Sequence, residues 1–173
     1  MPLSGTMTLA LRAALTGTAD FGAPSSNPDM TLQYTFADGF GAGQADLIWL
    51  DERSVASASN DDIDLSPFTD ALGLSRAPVE LVGLIIVNAP KSGAANTTNL
   101  TVGVGTNPVT PGFLGGTTPT VGPIRPGGIF MLWNSENAAG MGVITAATAD
   151  ILRIANSSGA TAVYQIALVA RSA

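Results

Sequence analysis

The residues best equipped for chemistry stand close together. Asp46, Asp51, Glu52, Asp61, Asp62 and Asp64 fall within residues 46–64, with Arg53 the one cation among them. Asn60, Asp62 and Asp64 alternate as the ligands at the start of a calcium loop do. Such a loop also needs a glycine at its sixth position for the sharp turn and a glutamate at its twelfth for bidentate ligation. Those positions hold Leu65 and Ala71, which excludes an EF-hand. The stretch is read as solvated carboxylates, or as an acidic surface that meets a basic partner, with a looser calcium site as the sharper alternative. No metal ligand is assigned.

Other constellations are thinner still. The chain has no histidine and no cysteine, so the usual general base, the usual proton shuttle and thiolate chemistry are all missing. No Gly-x-Ser-x-Gly elbow is present. The glycine-rich runs Gly39–Gly43 and Gly103–Gly105 lack the spacing of a dinucleotide or phosphate loop and read as turns. Two carboxylates can cleave a glycoside, but Trp49 and Trp133 are the only tryptophans available as a sugar platform, and core packing is their expected fate. The expectation is a non-enzyme with no catalytic residue and no cofactor.

The elements that must position these side chains are strands. Met7, Leu9, Leu11, Ala13 and Leu15 alternate with Thr8, Ala10, Arg12, Ala14 and Thr16, the period of a half-buried strand over residues 6–16. Residues 17–29 are rich in Gly, Ala, Pro, Ser and Asn and read as a tether. Further strands are expected at 30–36, 47–50, 54–59, 79–88, 99–103, 129–133, 151–155 and 162–170, separated by turn signals such as Asp38-Gly39 and Pro126-Gly127-Gly128. One short helix is expected over 66–73, capped by Ser66, with Pro67 in its first turn and Gly73 at its end. Residues 135–149 read as a loop with a short strand. Arg125 is expected at a sheet rim, meeting one of the acids of residues 46–64. Both faces of 162–170 are apolar, which predicts a strand that is central or covered on both sides. The fold class expected is all-β: an antiparallel β-sandwich, a jelly roll of about eight strands, divided into a strand, arm and linker over 1–29 and a sandwich domain over 30–173.

Composition narrows the partners. Charged residues make up 12% of the 173-residue chain, against about 25% in an ordinary soluble domain. A subunit that covers much of its outside with neighbours needs fewer surface charges. The net charge is -6 and Lys91 is the only lysine, so no basic patch exists for nucleic acid or for an anionic membrane. The longest apolar run, Leu81–Val87, is far short of the ~20 residues of a membrane span, and neither a signal peptide nor an anchor is read. Asn-x-Ser/Thr triplets begin at Asn96, Asn99 and Asn156 and carry little weight as glycosylation sites without such a signal.

Phe36–Asp46, Asp51–Leu65, Ile124–Gly128 and Asp150–Ala160, in that order, resemble a group of small virion structural proteins of tailed phages and prophages. The resemblance covers roughly residues 30–170. It implies a structural role and no catalytic one. Among such proteins, capsid cement or decoration proteins are acidic or neutral β-sandwiches that sit over joints between major capsid subunits, form dimers or trimers, and reach across with a terminal arm. The resemblance therefore implies a virion protein made in the host cytoplasm and placed on the outer surface of the capsid. Its expected partners are the major capsid protein and itself, as a trimer before a dimer. The expected contact residues are Met7, Leu9, Leu11, Arg12 and Leu15, and deletion of residues 1–28 should leave a folded domain that fails to join the shell. A tail or baseplate component and a carbohydrate-binding adsorption module are the alternatives.

Overall fold

The computed structural model describes residues 2–18, 22, 25–70, 72–103 and 105–173. Its first strands form a ribbon. β1 (Gly5–Arg12) and β2 (Leu15–Thr16) run out, and β3 (Ser25–Ser26) and β4 (Asp29–Phe36) run back. β1 pairs antiparallel with β4 from Gly5↔Phe36 to Arg12↔Asp29, and β2 pairs with β3 in the same register. The N-terminal strand thus takes its partner from the far side of the expected tether, and the ribbon crosses residue 29. Residues 19–21, 23 and 24 of that tether lie outside the described residues.

The body is a sandwich of two antiparallel sheets, as the short alternating strands predict. Its elements are β5 (Leu47–Val55), β6 (Asn60–Asp64), β7 (Phe68–Thr69), β8 (Ser75–Arg76), β9 (Glu80–Val87), β10 (Leu100–Gly103), α1 (Thr110–Leu114), β11 (Val121–Ile124), β12 (Ile129–Trp133), β13 (Gly142–Val143), β14 (Ile151–Asn156) and β15 (Ala162–Arg171). One sheet runs β12-β9-β15-β5, with β13 also on β9. The other runs β11-β10-β14-β6. Successive long strands alternate between the two sheets at every step except β10 to β11.

The core fills the space between the sheets. Leu84, Ile86, Tyr164, Ile166 and Leu168 from one sheet meet Ile63, Leu100, Val102, Leu152 and Ile154 from the other, all almost fully buried. Burying each such aliphatic side chain contributes about 1.5–3 kcal/mol before entropy is counted. β15 lies between β9 and β5, the central position that its two apolar faces call for.

Three local expectations fail for identifiable reasons. Residues 66–73 form no helix: Phe68–Thr69 and Ser75–Arg76 pair as a small hairpin. Asp70 drives this, because its Oδ1 accepts from the backbone N–H groups of Leu72 and Leu74 (2.9 Å each) and its Oδ2 from Arg76 Nε at 2.8 Å. A carboxylate that satisfies two nearby N–H groups stabilises a turn at the expense of a helix. Residues 47–55 are a single strand, and the strand that follows is 60–64 rather than 54–59. The helix that does form, Thr110–Leu114, has Pro in its first turn and lies in a stretch to which the sequence assigned no element.

Candidate assembly interface

The register of the ribbon sorts its side chains by polarity. One face carries the pairs Met7↔Tyr34, Leu9↔Leu32 and Leu11↔Met30. The other carries Thr6↔Thr35, Thr8↔Gln33, Ala10↔Thr31 and Arg12↔Asp29. In water the apolar face should be buried, yet Leu11 is 61% exposed, Leu15 70%, Met30 48%, Leu32 43% and Leu9 38%. Two strands alone are marginally stable, and an apolar face of this extent marks an interaction surface. The expected contact residues Met7, Leu9, Leu11 and Leu15 are brought together on this face, where Met7 is buried at the base. Arg12 is on the opposite face, in a solvent-exposed pair with Asp29 at 3.5 Å, which contributes little. Tyr34, Leu32 and Met30 complete the face. Sequence reading named no contact residue from this return strand, because their role follows only from the pairing.

The base of the ribbon is fixed to the sandwich by two aromatic rings, each lying over a glycine. Phe36 covers Gly5, where a Cβ would overlap its ring, and Trp133 covers Gly83 in the same way. The two rings meet at 5.7 Å, tilted by 45°. Phe36, Ala45, Val82 and Val169 form a small cluster, flanked by Leu3 and Trp133, on the outer face of the five-stranded sheet. Phe36 belongs to the apolar side of the ribbon by its register, so one continuous face is buried at the base and exposed from Leu9 onward.

Arg171 holds the surrounding loops. It is fully buried, and its guanidinium donates to the carbonyls of Gln44 (2.9 Å), Ser135 (3.0 Å), Asn137 (3.0 Å) and Ala138 (2.8 Å) and to Glu80 Oε2 (3.1 Å). The planar fork of arginine suits this set, because its donors diverge toward several carbonyls at once. The loop that leaves β4 is thereby tied to the loop that leaves β12. Sequence reading missed this residue. The signal available was a lone cation at the end of an otherwise apolar strand.

The chain matches no family model, no curated protein and no solved structure.

The acidic stretch is a set of internal ties. Arg53 donates to both oxygens of Asp61, at 2.7 and 2.8 Å, joining β5 of one sheet to β6 of the other, and the Tyr164 hydroxyl donates to Asp61 at 2.6 Å. Burial pushes the Asp61 carboxyl up, but the Arg53 and Tyr164 hydrogen bonds outweigh it and hold the group below its ordinary value. Tyr164 is pushed up, first by burial and then by Asp61. Arg153 grips Asp62 through two bonds of 2.6 Å, and that contact lowers the Asp62 carboxyl. Among the described residues, no group of three or more acidic side chains is placed to hold a metal ion.

The remaining candidates are also placed. Arg125 is exposed and, among the described residues, forms no ion pair, so its expected contact with residues 46–64 is not made. Arg53 and Arg153 fill that role instead. Trp49 is buried against Phe68 at 5.7 Å and presents no sugar platform. The Asn156 amide is buried and donates to the carbonyls of Val55, Ala56 and Ala160, and Asn96 ties Asn88 to Val163. These two asparagines are therefore structural clamps.

Proposed function

We propose that this chain is a non-enzymatic structural subunit that attaches to a larger protein shell through its ribbon, and that the shell is a tailed-phage head. In this reading it is a cement protein of the outer capsid surface, made in the host cytoplasm and bound across junctions of the major capsid protein. It self-associates about a local threefold axis, with a dimer as the second arrangement. The observation that carries the reading is the exposed apolar face of the ribbon, anchored at its base and presented beyond it. At about 3.3 Å per residue, the part from Met7 to Thr16 reaches roughly 30 Å. That exceeds the radius of gyration of about 14 Å expected for the remainder of the chain.

The energetics suit this role. Covering Leu9, Leu11, Leu15, Met30 and Leu32 would contribute on the order of 5–10 kcal/mol per arm. Immobilisation of the subunit costs a comparable amount, so a single contact is modest and many symmetry-related contacts are strong. The alternation of long strands between the sheets supports a jelly roll, the architecture that the resemblance implies.

The test is co-sedimentation with empty, tailless heads. Wild-type protein should pellet with the heads. The Leu11→Glu/Leu32→Glu double variant should keep its thermal stability and remain in the supernatant, because both sites are exposed in the free subunit. Equal binding by this variant would overturn the role of the ribbon. Tailless heads that bind no wild-type protein would overturn the capsid assignment.

A further inference from the structure

We infer that the free edge of β12 pairs antiparallel with β12 of a second copy of this chain, about a twofold axis at Met131, and that Arg125 and Glu136 lock the register. The contact uses backbone groups and two charges, and none of the ribbon side chains. It gives the dimeric arrangement named above an interface of its own and leaves the ribbon free to meet a shell.

Register shows which backbone groups are open. Asn88 N donates to Gly128 O and Asn134 N to Val82 O, each at 2.9 Å. Both bonds continue the register in which Ile129 stands opposite Val87 and Trp133 opposite Gly83. An antiparallel strand turns its N–H and C=O groups toward a given neighbour at every second residue. Phe130 and Leu132 therefore bond to β9, and Ile129, Met131 and Trp133 turn theirs away from it. β12 ends the sheet on that side, and among the described residues these groups have no backbone partner.

The other strands that end the two sheets are blunted. β5 carries Asp51, Glu52 and Arg53, β6 carries Asp61, Asp62 and Asp64, and β11 contains Pro123. Charges and proline discourage the addition of a strand. β12, Ile-Phe-Met-Leu-Trp, has neither, and Ile129 is 66% exposed. In-plane N–H and C=O groups are matched only by another extended backbone.

The charges that flank this edge point to a second copy as the added strand. Arg125 precedes β12 and Glu136 follows it. Both are exposed, and among the described residues neither forms an ion pair. Both stand on loops that are held in place. Gly128 N donates to Arg125 O at 2.7 Å, and Arg171 donates to the carbonyls of Ser135 and Asn137 on either side of Glu136. Antiparallel pairing about Met131 sets Ile129 opposite Trp133 of the second copy. It thereby brings Arg125 to the end where the second copy presents Glu136, and the reverse at the other end. Each open donor then meets an acceptor, Phe130 meets Leu132 across the axis, and opposite charges meet at both ends. The interface is the same patch on both subunits, as a twofold contact requires.

The absence of cysteine makes the axis easy to trap. In such a pair the two Met131 Cα atoms lie about 5.5 Å apart, within the range of a disulfide. Full-length Met131→Cys should form a disulfide dimer on mild oxidation, and Ser57→Cys, on an exposed turn, should not. Sedimentation equilibrium should give a dimer for the wild type. Arg125→Glu and Glu136→Arg should each weaken it several-fold while staying folded, and Arg125→Glu/Glu136→Arg should restore it. Met131→Pro removes only an outward N–H and should also favour the monomer. A wild-type monomer, or an oligomer that none of these variants changes, would overturn the inference and leave attachment through the ribbon standing. Single variants that weaken the dimer without rescue by the double variant would overturn the pairing of Arg125 with Glu136. A dimer that responds as expected in a chain that binds no heads would uphold the inference and remove the proposed function.

Discussion

The ribbon and β15 follow the same local rule to different ends. In β1, apolar and polar side chains alternate, and nearly all of them are exposed. In β15, Ala162, Tyr164, Ile166 and Leu168 alternate with residues of the outer face and are almost completely buried. The contrast lies in the second layer. The four-stranded sheet covers the inner face of β15, whereas no layer of the described structure covers the ribbon beyond its base. Alternation tells which face favours burial and does not tell what buries it. Under the proposed function, the layer missing over the bare apolar face of the ribbon is supplied by another molecule.

Mutations can break or sharpen this contrast. The largest effect is expected at Arg171, because Arg171→Ala leaves Glu80 and four carbonyls without their donor. It should lower stability by about 3–5 kcal/mol, read as a shift in denaturant midpoint, and Arg171→Lys should not restore it because a point charge cannot reach the same carbonyls. A matched pair of leucines comes next. Leu84→Ala, in the core, should cost about 3 kcal/mol, whereas Leu11→Ala, on the ribbon, should change stability by less than about 0.5 kcal/mol while weakening attachment to heads. Comparable losses at both positions would show that the ribbon face is buried within the chain.

The tie between the sheets is next in size. Asp61→Asn should cost about 2 kcal/mol at neutral pH, the scale of hydrogen bonds to a charged group. The folded-state value of Asp61 is depressed, so its contribution is present above the ordinary carboxylate value and is lost as pH falls through the lower folded value. The gap between wild type and Asp61→Asn in thermal unfolding should therefore close on acidification and stay constant above that range. An effect of similar size is expected at Gly83. Gly83→Ala pushes the Trp133 ring away and should cost about 1–3 kcal/mol. Its indole emission should report the loosened base, against Trp49, which stays buried.

Much of the sandwich was legible because β9, β12, β14 and β15 are short apolar segments bounded by turn residues. The charged strand β6, Asn-Asp-Asp-Ile-Asp, was hidden because only Ile63 of its residues packs into the core, and its stability comes from Arg53 and Arg153 on other strands. The 66–73 hairpin was hidden for a related reason: capping signals are local, and Asp70 satisfies the same backbone groups in a turn. Half of the ribbon face was visible as the alternation of residues 7–15. The other half depends on a pairing across residues 17–24, and composition carries no register. Arg171 was invisible as an anchor because its partners are backbone carbonyls of distant loops.

The most direct test of the ribbon as the attachment surface is site-resolved hydrogen exchange of the free subunit and of the same protein bound to heads. In the free subunit, amides of residues 5–16 and 25–36 should exchange quickly and those of β15 slowly. Binding should slow the ribbon strongly and leave β15 unchanged. A ribbon that exchanges equally fast in both states, with protection arising elsewhere, would contradict the account.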